Sequence, residues 1–472
     1  MSEDLIRAGA CRLVDRLRRN EITPLDLLDA LERRIAAVDP AVNGLPTLCF
    51  DRARAHAKRL LKRPRDARGV LAGLPVAIKD LADVAGVRTT YGSPIFSDHV
   101  PARSDILVER LEAAGAVIYG KSNTPEFGAG ANTFNEVLGT TRNPWNLGRS
   151  AAGSSGGSAA ALATGTAWLA HGSDLAGSLR NPASFCGVVG LRPSIGRVAR
   201  TPSAKIDRTL TVQGPMARCV EDLALMLDAM VGEHPADPLS LSAPATSFRD
   251  AARSPTRPRR VAYSTDLGIT PVDPQVAAIT RKAARRCEEL GAVVEEAHPD
   301  LGEAHDCFQV LRALDYAISK AELLRTQRAS LKPEVVWNIE KGLALTIGDI
   351  ERAEAQRVAL CARMLAFFET YDLLLTPATI VAPFPVEQRY LAECAGTRFD
   401  NYVEWLAIAY AVTLTCCPAL SLPCGFTEED LPVGLQIVAP PRAEAFLLGC
   451  ARMLEDVLGL RDTIPIDPRA GR

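Results

Sequence analysis

Two glycine-serine clusters separated by an apolar run constrain this chain more than any other stretch. They lie between Gly148 and Gly187. The first reads Gly153-Ser154-Ser155-Gly156-Gly157-Ser158, and the second Gly172-Ser173-Asp174-Leu175-Ala176-Gly177-Ser178. Glycine opens backbone conformations closed to other residues and lets the main chain approach a ligand. Serine brings hydroxyls that donate, accept or attack. A flexible Gly/Ser linker would be polar throughout. Here Ala161-Leu162-Ala163 and Trp168-Leu169-Ala170 lie between the clusters, and no charged run accompanies them. The stretch therefore predicts a small-residue helix that packs tightly and brings both clusters into one pocket.

The 54 basic and 56 acidic residues nearly cancel, leaving a net charge of −2. That balance argues against nucleic acid or an anionic membrane as the main partner. No apolar run approaches the length of a membrane span, about 20 residues. The opening Met-Ser-Glu-Asp has no apolar core, so no signal peptide is expected. The 12 cysteines and 6 histidines are scattered without CxxC or His pairing. Reduced thiols in a cytoplasm are the expectation, with no metal site and no cofactor.

Periodicity predicts an N-terminal helix carrying Leu5, Ile6, Leu13, Val14 and Leu17 on one face. A second opens at Thr23-Pro24, with Leu27, Leu28, Leu31 and Ile35 as its stripe. A third covers 52–61. From Gly69 short apolar runs alternate with helices: strand 74–78, a helix from a Ser104 cap to Ala114, strand 116–119. After helix 220–231 and a polar, Pro-rich segment at 233–258, which reads as a linker or a surface loop, the alternation resumes. Strand 260–264, helix 273–290 and strand 292–296 come first. Helices 304–328 and 348–370, strands 373–377, 419–423 and 433–438, and helix 442–458 follow. This texture predicts an α/β fold with a largely parallel, helix-covered sheet.

Three short motifs match by pattern and fail by context. Gly115-Ala-Val-Ile-Tyr-Gly120-Lys121-Ser122 fits a phosphate loop, but an apolar strand fills its interior. Val76-Ala77-Ile78-Lys79 fits a kinase strand without the Gly-rich loop before it or the HRD and DFG motifs after it. Gly153-Ser154-Ser155-Gly156-Gly157 fits the nucleophile elbow of α/β-hydrolases, yet 144–152 makes a poor strand, and His234, His298 and His305 have no distinctive setting. This last reading stays as a minor alternative.

What remains is Lys79 at a strand end, Ser154 in the first cluster and Ser178 in the second. Lysine becomes a base when burial lowers its pKa. An attacking serine needs a proton acceptor and oxyanion donors, and the small-residue turn 175–178 offers successive N–H groups. Alone, Lys79 would read as a surface or Asp80-paired lysine, and Ser154 as a helix cap. The combination carries the chemistry.

These residues resemble the amidase signature family of serine hydrolases. The family pairs a lysine after an apolar strand with two serines spaced as Ser154 and Ser178 are. Leu74 to Asp80, Gly115 to Glu126, Thr141 to Ser150 and Leu431 to Val438 resemble further family segments. Thr141 to Ser150 resembles the lead-in of stand-alone amidases, including nylon-oligomer cyclic-dimer hydrolases.

The resemblance implies one large α/β/α domain over 1–472, a twisted mixed sheet covered by helices. The N-terminal helices (1–62) would pack outside a catalytic segment at 69–200. It implies Ser178 as the acylated nucleophile, Ser154 after a cis peptide as the proton bridge, and Lys79 as the base. The N–H groups of Leu175, Ala176, Gly177 and Ser178 would form the oxyanion hole, with Ser155, Asp174 and Arg180 supporting the loop. Two departures stand out: Leu175-Ala176 replaces the frequent Thr-Gly, and Ala151-Ala152 replaces Pro-Gly. The implied reaction is hydrolysis of a carboxamide, by a homodimer without a cofactor. Alternatives are the amidase component of a glutamine-dependent tRNA amidotransferase, a carbamate or urea-derivative hydrolase, and a non-catalytic scaffold. Phe127, Phe134, Tyr316, Trp337, Phe384, Tyr402 and Trp405 are candidate lining residues of the substrate pocket.

Overall fold

A computed structural model describes residues 2–202 and 209–471. Its frame is an eleven-stranded sheet. In chain order the strands are β1 (Thr47–Leu48), β2 (Pro75–Lys79), β3 (Val117–Ser122), β4 (Leu169–Asp174), β5 (Val189–Arg192) and β6 (Val212–Ala217). They continue with β7 (Arg260–Tyr263), β8 (Val293–Glu296), β9 (Leu373–Pro377), β10 (Ala419–Phe426) and β11 (Pro432–Val438). The spatial order is β1-β3-β2-β4-β6-β5-β10-β11-β9-β7-β8.

The sheet is mixed, which corrects the largely parallel expectation. β3-β2-β4 and β9-β7-β8 are parallel, while every pairing from β4 through β6, β5, β10 and β11 to β9 is antiparallel. The alternation in the sequence reflects the flanks, where helical crossovers join parallel neighbours. The central strands β5 and β6 escape it because β5 is short and β6 carries Gly214 and Pro215, residues that weaken a strand signal. The middle strands are buried on both faces, so no polar alternation marks them.

Local rules account for most helix ends. Thr23 caps helix Pro24–Val42 in a reciprocal box: its hydroxyl accepts from Asp26 N, and the Asp26 carboxylate accepts from Thr23 N. The first predicted helix is two, Ser2–Arg7 and Ala10–Arg18, broken at Gly9. Asp222 supplies the cap for the second, its carboxylate accepting from Ala10 N and Cys11 N, both at 2.8 Å. Ser104 does not cap its helix; Asp105 holds that position before Ile106–Ala113, and the Ser104 hydroxyl accepts from Ala85 N. A further helix that periodicity does not reveal, Pro333–Leu343, lies between the two long helices Ala304–Gln327 and Ile347–Phe367. The 233–258 segment carries helix Phe248–Arg253, whose Phe248 is buried in the core. No helix of the described residues is long and apolar enough to cross a membrane.

Helix Gly156–Thr164 positions the site. It is buried on every side, which explains its small residues. A Cβ on Gly157 would come within 2.3 Å of Asn123 N and 2.6 Å of Gly44 O. Alanine and glycine are what fits between these backbones. The apolar run that follows is β4, not more helix, so the second cluster is a strand end, Gly172-Ser173-Asp174, followed by a turn.

Candidate active site

Lys79 ends β2, and β4 runs parallel beside it with Val76 opposite Leu169 and Ala77 opposite Ala170. This pairing sets Lys79 next to Ser173 near the end of β4. The fully buried lysine donates to three hydroxyls: Ser154 Oγ at 2.7 Å, Ser155 Oγ at 2.9 Å and Ser173 Oγ at 3.1 Å. No carboxylate of the described residues pairs with it. Asp80 turns instead to Lys121 Nζ at 2.9 Å and the Thr90 hydroxyl at 2.6 Å. The false phosphate-loop lysine is thus a buried structural partner. Burial pulls the Lys79 pKa from 10.5 down to about 7, against a smaller opposing pull from Asp174.

The first cluster presents Ser154 through a cis Gly153–Ser154 peptide. Across from it lies the Phe127–Ala131 segment, where a Cβ on Gly128 would sit 3.3 Å from Ser154 Oγ. A short strand, Asn146–Ser150, does precede the cluster, contrary to expectation, but it pairs only with Arg142–Asn143 in a separate two-stranded ribbon. It is not the central-sheet strand a nucleophile elbow needs. The two clusters are tied directly: Ser155 N donates to Ser178 O at 3.2 Å.

The turn after β4 is organised by Asp174. This buried carboxylate accepts from Gly177 N and Leu179 N, both at 3.0 Å, from Arg180 Nε at 3.1 Å and Nη2 at 2.9 Å, and from Arg192 Nη1 at 3.3 Å. Burial alone would raise its pKa, but Arg180 and Arg192 outweigh it and hold the group far below the usual carboxylate range. Arg180 also donates to Ala409 O, Gln436 Oε1 and Thr413 Oγ1, pinning the turn to β11 and helix Ala407–Leu414. One expected oxyanion donor is corrected here: the Gly177 N–H is spent on Asp174. Among the described residues, the N–H groups of Leu175, Ala176 and Ser178 find no intramolecular acceptor. Ser178 itself is half-buried.

Sequence reasoning overlooks His171, Ser173 and Gln213 around Lys79. Alternation along β4 places His171 and Ser173 on one face. His171 Nδ1 accepts the Lys79 backbone N–H at 3.3 Å, and Nε2 faces Gln213 Oε1 at 2.7 Å. With Nδ1 accepting, the proton belongs on Nε2. Burial lowers the His171 pKa to about 3, so the ring is neutral. Reading 169–174 as a strand would have exposed this period-two pattern.

The candidate lining residues divide. Tyr316 OH donates to Phe127 O at 3.4 Å, and Arg312 lies over the rings of Tyr316 and Tyr402. Trp337 meets Tyr402 edge-on at 5.7 Å. These four aromatics form one wall behind the segment that faces Ser154. Phe384 and Trp405 pack together in the core, with Phe185 on the other side of Phe384. Phe134 borders a separate cavity of about 410 Å³ together with Lys332 and Arg389.

Known proteins share this architecture. The family model for amidases matches residues 26–448. An acylamidase from Rhodococcus erythropolis is 36% identical over 464 residues, covering 97% of each chain. The amidase component of the glutamyl-tRNA(Gln) amidotransferase of Moorella thermoacetica is 37% identical over 478 residues, covering 96% of this chain and 97% of that one. Among solved structures, a bacterial aryl acylamidase superposes with a TM-score of 0.90 at 26% identity, covering 97% of this chain and 98% of the other. A 6-aminohexanoate cyclic dimer hydrolase superposes with a TM-score of 0.87 at 28% identity, covering 99% of both. The chain belongs to the amidase signature family. It is an enzyme, a hydrolase of amide bonds.

Proposed function

We propose that this enzyme cleaves a carboxamide to a carboxylic acid and ammonia or an amine through an acyl-enzyme on Ser178. One observation carries the reading: a buried lysine with no carboxylate partner donates to Ser154 Oγ at 2.7 Å. Neutral Lys79 takes the Ser154 proton, and Ser154 takes that of Ser178 as its oxygen attacks the carbonyl. The N–H groups of Leu175, Ala176 and Ser178 receive the oxyanion; one such donor is worth about 3 kcal/mol of barrier. The proton returns through Ser154 to the leaving nitrogen, whose bond to the acyl carbon then breaks. Water repeats the relay and releases the acid. Ser155 and Ser173 hold Lys79 in place, and Asp174 with Arg180 holds the turn. Phe127, Tyr316, Trp337 and Tyr402 line the acyl side.

The acylamidase and cyclic-dimer hydrolase relatives support a stand-alone enzyme for linear or cyclic amides. The amidotransferase relatives support a second reading, in which glutamine is the amide and a partner receives the ammonia. The purified single chain decides between them. Release of acid and amine from aryl, alkyl or cyclic amides in equal amounts supports the first. Glutamine hydrolysis that appears only with partner chains supports the second. Homodimerisation and a cytoplasmic setting complete the proposal. They rest on the family resemblance and, for the compartment, on cysteines that are all free; sedimentation and fractionation test them.

A further inference from the structure

Cys416 and Cys361 stand apart from the other cysteines. Only Cys49, Cys361 and Cys416 are not fully buried. Cys361 lies on helix Ile347–Phe367, and Cys416 lies on the turn after helix Ala407–Leu414, held in the left-handed region at φ 63°. The two thiols share one acceptor, Leu414 O, at 3.4 Å from Cys361 Sγ and 3.8 Å from Cys416 Sγ. They also hydrogen-bond each other, the Cys361 S–H donating to the Cys416 sulfur.

Positive charge gathers around Cys416. Arg357 Nη2 donates to its sulfur at 3.6 Å. Arg357 has no carboxylate partner among the described residues; its other donors go to Leu414 O and Thr209 Oγ1. Arg192 is 1% exposed, and its Nη1 donates to Asp174 O at 2.7 Å. The Arg192 Nε and Nη2 are buried without a partner. Besides Asp174 and Arg180, Cys416 is the ionisable group whose charge acts on Arg192. Buried unpaired guanidinium N–H groups favour an anion beside them. The hydrogen bond from Cys361, then Arg357 and Arg192, pull the Cys416 thiol below the ordinary range against the opposing effect of burial. The other cysteines are pushed up, chiefly by burial, as with Cys49 at about 11. A low-pKa thiolate in an electropositive, partly exposed setting is what marks a reactive cysteine.

We propose that Cys416 is a reactive thiolate and Cys361 its resolving thiol, so that peroxide or a glutathione-type disulfide converts the pair into an intramolecular disulfide. With peroxide, the Cys416 sulfur attacks one oxygen and the O–O bond breaks. Hydroxide leaves and takes a proton from solvent, and Cys416 becomes a sulfenic acid. The Cys361 sulfur then attacks, the S–O bond breaks, and the departing oxygen takes the Cys361 proton to leave as water. Two thiols lose two electrons, and one peroxide becomes two waters. With the glutathione disulfide, Cys416 first expels one glutathione thiolate and Cys361 expels the second.

The disulfide removes the anion facing Arg192, the arginine that braces Asp174. Oxidation therefore lowers amidase activity, and a dithiol restores it. This consequence rests on the 175–178 turn as the oxyanion site, whereas the thiol chemistry does not.

Limited iodoacetamide labelling at pH 7, read by peptide mass mapping, is the first test. Cys416 is expected to react at least ~10-fold faster than Cys361 or Cys49, and Arg357→Met to slow it. Treatment with peroxide or oxidised glutathione should remove two hydrogens from the chain and join the peptides carrying residues 361 and 416. Dithiothreitol should reverse this, and Cys361→Ser should abolish the cross-link and leave Cys416 capped. Reduced Cys416→Ser should retain wild-type activity and resist oxidative loss. Equal labelling of the three thiols overturns the proposal. So does a wild-type chain that ends with Cys416 capped but not cross-linked, or with Cys361 joined to Cys417. A cross-link without any loss of activity overturns only the coupling to the oxyanion turn.

Discussion

Replacing Ser173 by aspartate tests the electrostatic state of Lys79. The Ser173 hydroxyl lies 3.1 Å from Lys79 Nζ in a site without a carboxylate partner. An opposite charge within about 4–6 Å shifts a buried group by roughly 1–3 pH units. Burial has brought Lys79 from 10.5 to about 7, so Ser173→Asp carries it back to roughly 8–10. At pH 7 about half of the wild-type lysine is neutral, against roughly one molecule in ten to one in a thousand in the variant. The assay is the pH dependence of kcat/KM on a chromogenic anilide, with Ser173→Asn as the uncharged control. In the wild type, activity rises with pH through about 7 and levels off. In Ser173→Asp it falls roughly 10- to 1000-fold at pH 7 and recovers as pH approaches 10. The asparagine variant keeps its limb near 7. A Ser173→Asp limb still near 7, or a loss equal at all pH values, would refute neutral Lys79 as the base.

Three further substitutions probe separate parts of the account. Lys79→Met should abolish turnover yet raise stability at pH 7 by roughly 1–3 kcal/mol, read from urea midpoints, because the buried amine no longer has to give up its proton on folding. The sign follows from the lowered pKa: the unfolded chain binds more protons between about 7 and 10.5. Wild-type stability therefore climbs with pH across that window, and Lys79→Met should lose that slope. Asp174→Asn leaves Arg180 and Arg192 facing a neutral amide and should cost about 3–5 kcal/mol, visible as a fall of several degrees in Tm. Gly128→Ala places a methyl 3.3 Å from Ser154 Oγ at a φ of 75°, and is expected to lower kcat by about 10-fold or more with little change in KM.

The site is more legible in the sequence than the sheet that carries it. Glycine, serine and lysine at fixed spacing report backbone approach and proton chemistry directly, so Lys79, Ser154 and Asp174 emerge as a group. Contacts that depend on strand pairing do not. His171 meets the Lys79 backbone only because β4 lies beside β2, and Arg192 reaches Asp174 only because β6 brings β5 close to β4. Gly177 is misassigned for a local reason: the Asp174 side chain folds back onto an N–H three residues ahead. The seven aromatic candidates cannot be sorted by sequence, since Phe384 in the core and Phe127 beside the site are both large apolar residues within turn-rich segments.

Mass spectrometry of the enzyme treated with a fluorophosphonate tests the central claim most directly. The account predicts one adduct per chain, carried by the peptide containing Ser178, lost in Ser178→Ala and strongly slowed in Lys79→Met. An adduct on Ser154 or Ser155, or full amidase activity in Ser178→Ala, would contradict it.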